Sequence, residues 1–131
     1  MDSGRRHLDL RERTEAFALR IVRLYRALPR ETDAQVIGKQ LLRSGTAVGA
    51  NYCAAGRARS KREFVAKIGV VVEEADETVF WLKLLMKSEI LPQQRLQPLL
   101  DEANELLAIV AASFYTSRRS SRRPQATAET R

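Results

Sequence analysis

One histidine, one cysteine, aromatics at 6% and no apolar run approaching the length of a membrane span mark what this 131-residue chain has little of. The lone histidine, His7, lies in the N-terminal segment. A carboxylate-bridged di-metal bundle needs Glu-x-x-His pairs on facing helices and has no imidazoles to draw on here. Glu73, Glu74, Asp76 and Glu77 form an acidic cluster without imidazole or thiolate companions, so pairing with Arg or Lys, or facing a channel, is expected rather than transition-metal binding. Cys53 lacks both a second thiol and a neighbouring histidine; it reads as a small buried residue, and a single cysteine agrees with a reducing compartment. The segment from Gly45 to Gly49, GTAVG, lacks the Gly-Lys-Ser/Thr ending of a phosphate loop. No catalytic residue, cofactor, metal or small-molecule substrate is therefore expected. The opening MDSGRRHLDLRERTE has no apolar core of a secretory signal, and no stretch is long enough to span a bilayer, so a soluble protein in the cytoplasm is the expectation.

What is present is apolar content of 44% in a chain long enough to bury one core without disulfides or a structural metal. The formal net charge of +7 is unevenly spread: residues 117–131 carry +4 and residues 1–13 carry +1, which leaves +2 for everything between. The Arg- and Ser-rich stretch SRRSSRRPQATAETR has no apolar periodicity and reads as a disordered tail, either solubilising or phosphate-binding. The expected organisation is a flexible arm over 1–9, a helical domain over 10–115 and a basic tail over 116–131.

Four helical segments follow from periodicity and stop signals. Phe17, Ile21, Leu24, Tyr25 and Leu28 share one face of the first, which opens at Asp9 with Glu12 and closes at Pro29. The second opens at Thr32, where Gln35 completes a capping box, and runs to about Arg57 or Arg59. It contains Gly38, Gly45, Gly49 and Gly56, each costing up to about 1 kcal/mol relative to alanine inside a helix. Gly45, Gly49 and Gly56 fall on one face, which predicts close approach of a neighbouring helix; a loop at Ser44 and Gly45 splitting the segment is the alternative.

The third segment starts at a second capping box, Ser60 with Glu63, and reaches about Lys87. Phe64, Ile68, Val71, Val72, Ala75, Val79, Leu82 and Met86 make its inward stripe. Val70, Phe80, Trp81 and Leu84 fall away from that stripe, interrupted by Glu73 and Glu77, and form a second apolar face that calls for contact with another subunit. The fourth segment, after Pro92, carries Leu96, Leu100, Ala103, Leu107, Val110 and Phe114 at seam spacing; Pro98 either kinks it or marks a later start. With no strand-like alternation and short connections, the fold class is all-α: an antiparallel up-down-up-down four-helix bundle.

The residues Gln40 to Thr46 (QLLRSGT), Val48 to Tyr52 (VGANY), Ser60 with Glu63 and Phe64, Glu74 with Ala75, Glu77 with Thr78, and Trp81 with Leu82 carry a family resemblance. Over about residues 14–115 the chain resembles a family of small bacterial four-helix-bundle proteins first known as reading frames in the intervening sequences of 23S ribosomal RNA genes. Members often have an Arg-Glu pair after the Asn-Tyr motif, where this chain has Cys53 and Ala54. The resemblance implies a bundle without enzymatic activity and, for some members, assembly into five-fold rings, hence a homopentamer. A related branch, the accessory proteins of diversity-generating retroelements, engages nucleic acid.

Two candidate roles result. The first is a non-enzymatic oligomeric interaction scaffold joined through Val70, Phe80, Trp81 and Leu84. The second is an accessory protein contacting RNA or DNA phosphates through the hinge residues Arg57, Arg59, Lys61 and Arg62 and the tail residues Arg118, Arg119, Arg122 and Arg123. Ser60 leaves helix-terminal amides near that hinge. Phe80, Trp81 and Tyr52 read as packing residues, which leaves the hinge without aromatic interleaving for base stacking. Asn51 is expected to make an interhelical hydrogen bond that sets register.

Overall fold

The computed structural model describes residues 9–122, with side-chain surroundings given through residue 120. The described residues form four α-helices and no strand: α1 (Leu10–Arg26), α2 (Thr32–Gly56), α3 (Lys61–Lys87) and α4 (Gln93–Arg122). None of them is long and apolar enough to cross a membrane.

Helix α1 starts where Asp9 accepts a hydrogen bond from the Arg11 amide at 2.9 Å, relieving one of the unpaired donors of the first turn. Its expected face is the one it buries: Phe17, Ile21 and Leu24, with Leu28 just past its end. Thr14 is buried on the same face, and its hydroxyl donates to the Arg11 carbonyl at 3.1 Å, which makes a polar side chain tolerable there.

The capping box expected at the start of α2 does not form. Thr32 already lies inside the helix, Glu31 takes the cap position without a side-chain bond, and Gln35 does something else. Its Nε2 donates to the Pro29 carbonyl at 2.9 Å and its Oε1 accepts from the Tyr25 hydroxyl at 2.8 Å, so it fastens the α1–α2 turn. The helix then runs unbroken through Ser44 and Gly45 rather than splitting there. Asn51 donates to the Ala47 carbonyl of its own helix at 2.9 Å, in place of the interhelical bond expected of it.

Two of the three expected close-packing glycines meet α1. A Cβ at Gly45 would stand 2.8 Å from Cγ1 of Ile21 and one at Gly49 3.2 Å from the Thr14 carbonyl oxygen; Gly38, outside that expected set, is tighter still against Leu28 and Tyr25. At Gly56 nothing lies within 4 Å, which corrects its assignment to the packing strip. The reason is length: Gly49 faces Thr14, and beyond it α2 continues for about 10 Å to Gly56 while α1 has only about 6 Å left before it begins at Leu10. The glycines thus let the helices approach only where a second helix exists.

Helix α3 is capped as the sequence predicts, with the Ser60 hydroxyl accepting from the Glu63 amide at 3.0 Å. It ends at Lys87, and Glu89, just beyond the Ser88 cap, has a left-handed φ of 61°; the Ile90 amide reaches back to the Leu85 carbonyl at 3.3 Å and the Glu89 amide to the Met86 carbonyl at 3.1 Å. That is a Schellman ending with glutamate where glycine is usual. Helix α4 begins at Gln93, contains Pro98 within it, and does not stop near Tyr115 but continues to Arg122. Residues 116–122 are therefore helical rather than a disordered tail. Lys61 of α3 hydrogen-bonds Ser120 within these turns, and Arg118 and Arg119 suit the negative end of the helix dipole.

One core cluster takes Phe17, Ile21 and Leu24 from α1, Leu41 from α2, Val79, Leu82 and Leu85 from α3, and Leu96, Leu99, Leu100, Ala103 and Leu106 from α4. A second takes Val48, Val71, Ala75 and Val110, with Leu10 and Leu107 packed against both. Of the helix pairs that pack side by side, α1 and α4 make the thinnest contact. Between them lies an open cleft of about 750 Å³ with Ala16, Phe17 and Pro98 on its walls, closed on one side by Arg13, which donates to both oxygens of Glu102 at 2.9 and 3.0 Å and also bonds Glu105.

Candidate nucleic-acid interface

Two carboxylates of the acidic stretch of α3 form a structural weld. Arg43 of α2 donates to Glu74 at 3.1 Å and also bonds Glu77, and Glu77 in turn accepts from the Trp81 indole at 3.1 Å. The Arg43 bond, followed by the Trp81 bond, holds the Glu77 carboxyl below its ordinary pKa. Beneath this surface network the Ser44 and Thr78 hydroxyls hydrogen-bond at 3.0 Å in full burial. Glu74 and Glu77 thus pair with arginine, as expected of them, while Glu73 and Asp76 are exposed. Among the described residues no group of three or more His, Cys, Asp or Glu is arranged to hold a metal ion.

The candidate subunit face is only partly open. Phe80 is 56% exposed and Val70 39%, whereas Trp81 and Leu84 are half-buried, Trp81 against its own core. The Phe80 ring stands edge-on to Trp81 with centroids 4.9 Å apart, so the Glu77-anchored indole fixes the ring that projects.

The basic residues gather at the other feature of interest, the end of the molecule where α2 turns into α3. Arg57, Arg59, Lys61 and Arg62 are all exposed, and none forms an ion pair with another described residue. The backbone amides expected to face a phosphate are partly engaged: Ser60 takes the Glu63 amide, and the Glu63 carboxylate takes the Arg59 amide at 2.9 Å. Long basic side chains, not helix-terminal amides, are what this end offers. Lys61 then donates to the Ser120 hydroxyl at 3.0 Å, which seats the last turns of α4 beside the hinge. Arg118 and Arg119, distant in sequence, are thereby brought to the same end, both exposed. Arg122 lies in the final turn of α4, and Arg123 falls outside the described residues.

An aromatic pair accompanies this charge, contrary to the sequence reading. Tyr115 is 62% exposed, its ring lies 5.5 Å from that of Phe114, and the Arg118 guanidinium sits 5.9 Å from the Phe114 centroid. Sequence reasoning missed Tyr115 because it placed the end of the helix there. The signal available was the spacing of Tyr115, Arg118 and Arg119 at i, i+3 and i+4, which makes one face only if the helix goes on.

Residues 6–112 match the family described as 23S rRNA-intervening sequence protein. Among solved structures, the chain is similar to a protein of unknown function from the S23 ribosomal protein family of Bacteroides thetaiotaomicron, at 33% identity and a TM-score of 0.76, covering 81% of this chain and 98% of that one. No curated protein matches.

Proposed function

The chain belongs to the 23S rRNA-intervening sequence protein family, and we propose that it is an antiparallel four-helix bundle that acts by binding, its basic end contacting the phosphates of RNA or DNA. The antiparallel arrangement is supported by the order of contacts: Gly38, Gly45 and Gly49 meet Tyr25, Ile21 and Thr14 in turn, and Lys61 and Gly69 meet Ser120 and Phe114. The observation that carries the function is the Lys61–Ser120 bond, which gathers Arg57, Arg59, Arg62, Arg118 and Arg119 around one end. Exposed basic groups without acidic partners are available to neutralise phosphates, and each phosphate contact adds to the salt dependence of binding. Anisotropy titrations with labelled RNA and DNA at several salt concentrations test this. Binding should weaken steeply with salt, and Arg57→Ala, Arg59→Ala and Arg62→Ala together should weaken it and flatten the salt slope. Absence of binding at low salt defeats the reading.

A second reading, association of copies of this chain through α3 into a ring-like homo-oligomer, is favoured by the exposure of Phe80 and Val70. Five subunits is the number the family resemblance suggests. The two readings are compatible, since a ring would multiply the charge of each basic end. The light-scattering mass of the intact protein at micromolar concentration tests association, and a monomer would end it.

A further inference from the structure

We propose that the basic end prefers single-stranded nucleic acid, with Tyr115 as the surface on which a base stacks; this rests on the nucleic-acid reading above and specifies its ligand. A patch made only of Arg and Lys follows the phosphate backbone and does not distinguish an unpaired strand from a duplex by its bases. An exposed aromatic ring within such a patch changes that, because a stacked base is available from a single strand and is already occupied within a duplex.

Tyr115 meets the physical requirements of such a platform. It is the most exposed large hydrophobic side chain among the described residues, at 62%, although it lies on a helix with neighbours available for packing. Its ring is braced edge-on by Phe114, which itself packs against the backbone of Gly69, where a Cβ would lie 3.1 Å from the Phe114 ring. The missing side chain at Gly69 therefore lets Phe114 seat deeply enough to support its neighbour. Arg118 lies over the other part of this pair at 5.9 Å, and Arg118 and Arg119 follow Tyr115 on one face of α4 at i+3 and i+4. A strand whose base rests on Tyr115 has guanidinium groups within one helical turn to meet its phosphates. Lys61, tied to Ser120, continues the positive track toward Arg57, Arg59 and Arg62. Tyrosine is suited to the task, since its ring has two torsions to order and a hydroxyl that remains in water.

The test is an anisotropy comparison of the intact protein with labelled oligo-dT and oligo-rU of about 12 nucleotides, the span of a typical single-strand site, and a blunt duplex of the same length. Single strands should bind more tightly than the duplex. Tyr115→Ala should weaken single-strand binding about 5- to 100-fold, the range set by loss of one stacked base, while duplex binding and the salt slope stay as they were. Tyr115→Phe should retain the preference because the ring is kept. Using both sugars separates a requirement for ribose from stacking alone, and similar affinity for dT and rU is expected. Equal binding of duplex and single strand, or an equal loss on both with Tyr115→Ala, overturns the stacking assignment while leaving phosphate binding intact. A change in light-scattering mass with Tyr115→Ala overturns it as well, by showing the ring buried between subunits. Failure to bind any of the three probes removes the nucleic-acid reading itself. Since Tyr115 is exposed, the variants should fold, and far-ultraviolet circular dichroism verifies it.

Discussion

Gly49 of α2 lies so close to Thr14 of α1 that a Cβ added to it would meet the Thr14 carbonyl oxygen at 3.2 Å. A backbone oxygen cannot rotate aside as a side-chain end can. Gly49→Ala should therefore destabilise the protein by about 1–3 kcal/mol, the usual cost of overpacking, despite alanine's better helix propensity. Gly56→Ala faces open space and should be neutral or stabilising by up to about 1 kcal/mol. Urea denaturation of both variants gives the comparison, and the reverse order would contradict the packing described.

Glu89 supplies a second test of local geometry. Its φ of 61° is a conformation that an L-residue other than glycine adopts at a cost of about 1–2 kcal/mol. Glu89→Gly removes that cost, partly offset by the greater freedom of glycine in the unfolded chain, so a net gain of about 1 kcal/mol is expected. A rise in Tm on a circular dichroism melt would show it.

The Arg43–Glu77–Trp81 chain should be visible in pH dependence. Because the Glu77 pKa is depressed in the folded state, its contribution to stability is fully present above the ordinary glutamate value and is lost as pH falls through the lower folded value. The contribution is modest, since both Arg43 and Glu77 are substantially exposed to solvent. Trp81 is the only tryptophan in the chain, so its fluorescence reports on this bond alone. Its fluorescence should titrate with a midpoint below that of a solvated glutamate, and Arg43→Ala should move that midpoint upward. An unchanged midpoint would show that Arg43 does not hold the carboxylate.

In the proposed association through α3, Phe80 is the residue that matters most directly. Phe80→Glu should lower the sedimentation coefficient from that of an oligomer to that of a monomer while helicity is retained, because the 56% exposed ring adds little to the chain's own core. Leu84→Glu, at a half-buried position, should cost stability too. Equal oligomer mass for wild type and Phe80→Glu would place the subunit contact elsewhere.

Much of the fold was legible in the sequence because its signals are local. Asp9 and Ser60 cap the helices they precede, and the stripes from Phe17 to Leu28 and from Ile68 to Leu82 point inward as their spacing requires. The Thr32–Gln35 pair failed as a cap because the same residue types serve equally in a turn, and Tyr25 and Pro29, brought near by the chain reversal, supplied Gln35 with better partners. Among the candidate site residues, Arg57, Arg59, Lys61 and Arg62 were identifiable as an exposed hinge. Their association with Arg118 and Arg119 was not, because it depends on the bond between Lys61 and Ser120, 59 positions apart.

The sequence by itself determined the all-α class, the four helices and the inward stripes of α1 and α3, since a 3.6-residue period and a capping side chain act within a few turns. Tertiary structure alone decided which glycines are needed, how far α4 extends and where Tyr115 stands. Gly45 and Gly49 matter because α1 lies against them and Gly56 does not because α1 has already ended. Residues 116–122 have no apolar periodicity, yet they are helical where α3 offers Lys61 to Ser120 and where Arg118 lies over the Phe114 ring one turn earlier in α4. The difference lies in where the free energy originates: within a helix it comes from neighbours one turn away, and between helices from partners that only the folded chain brings together.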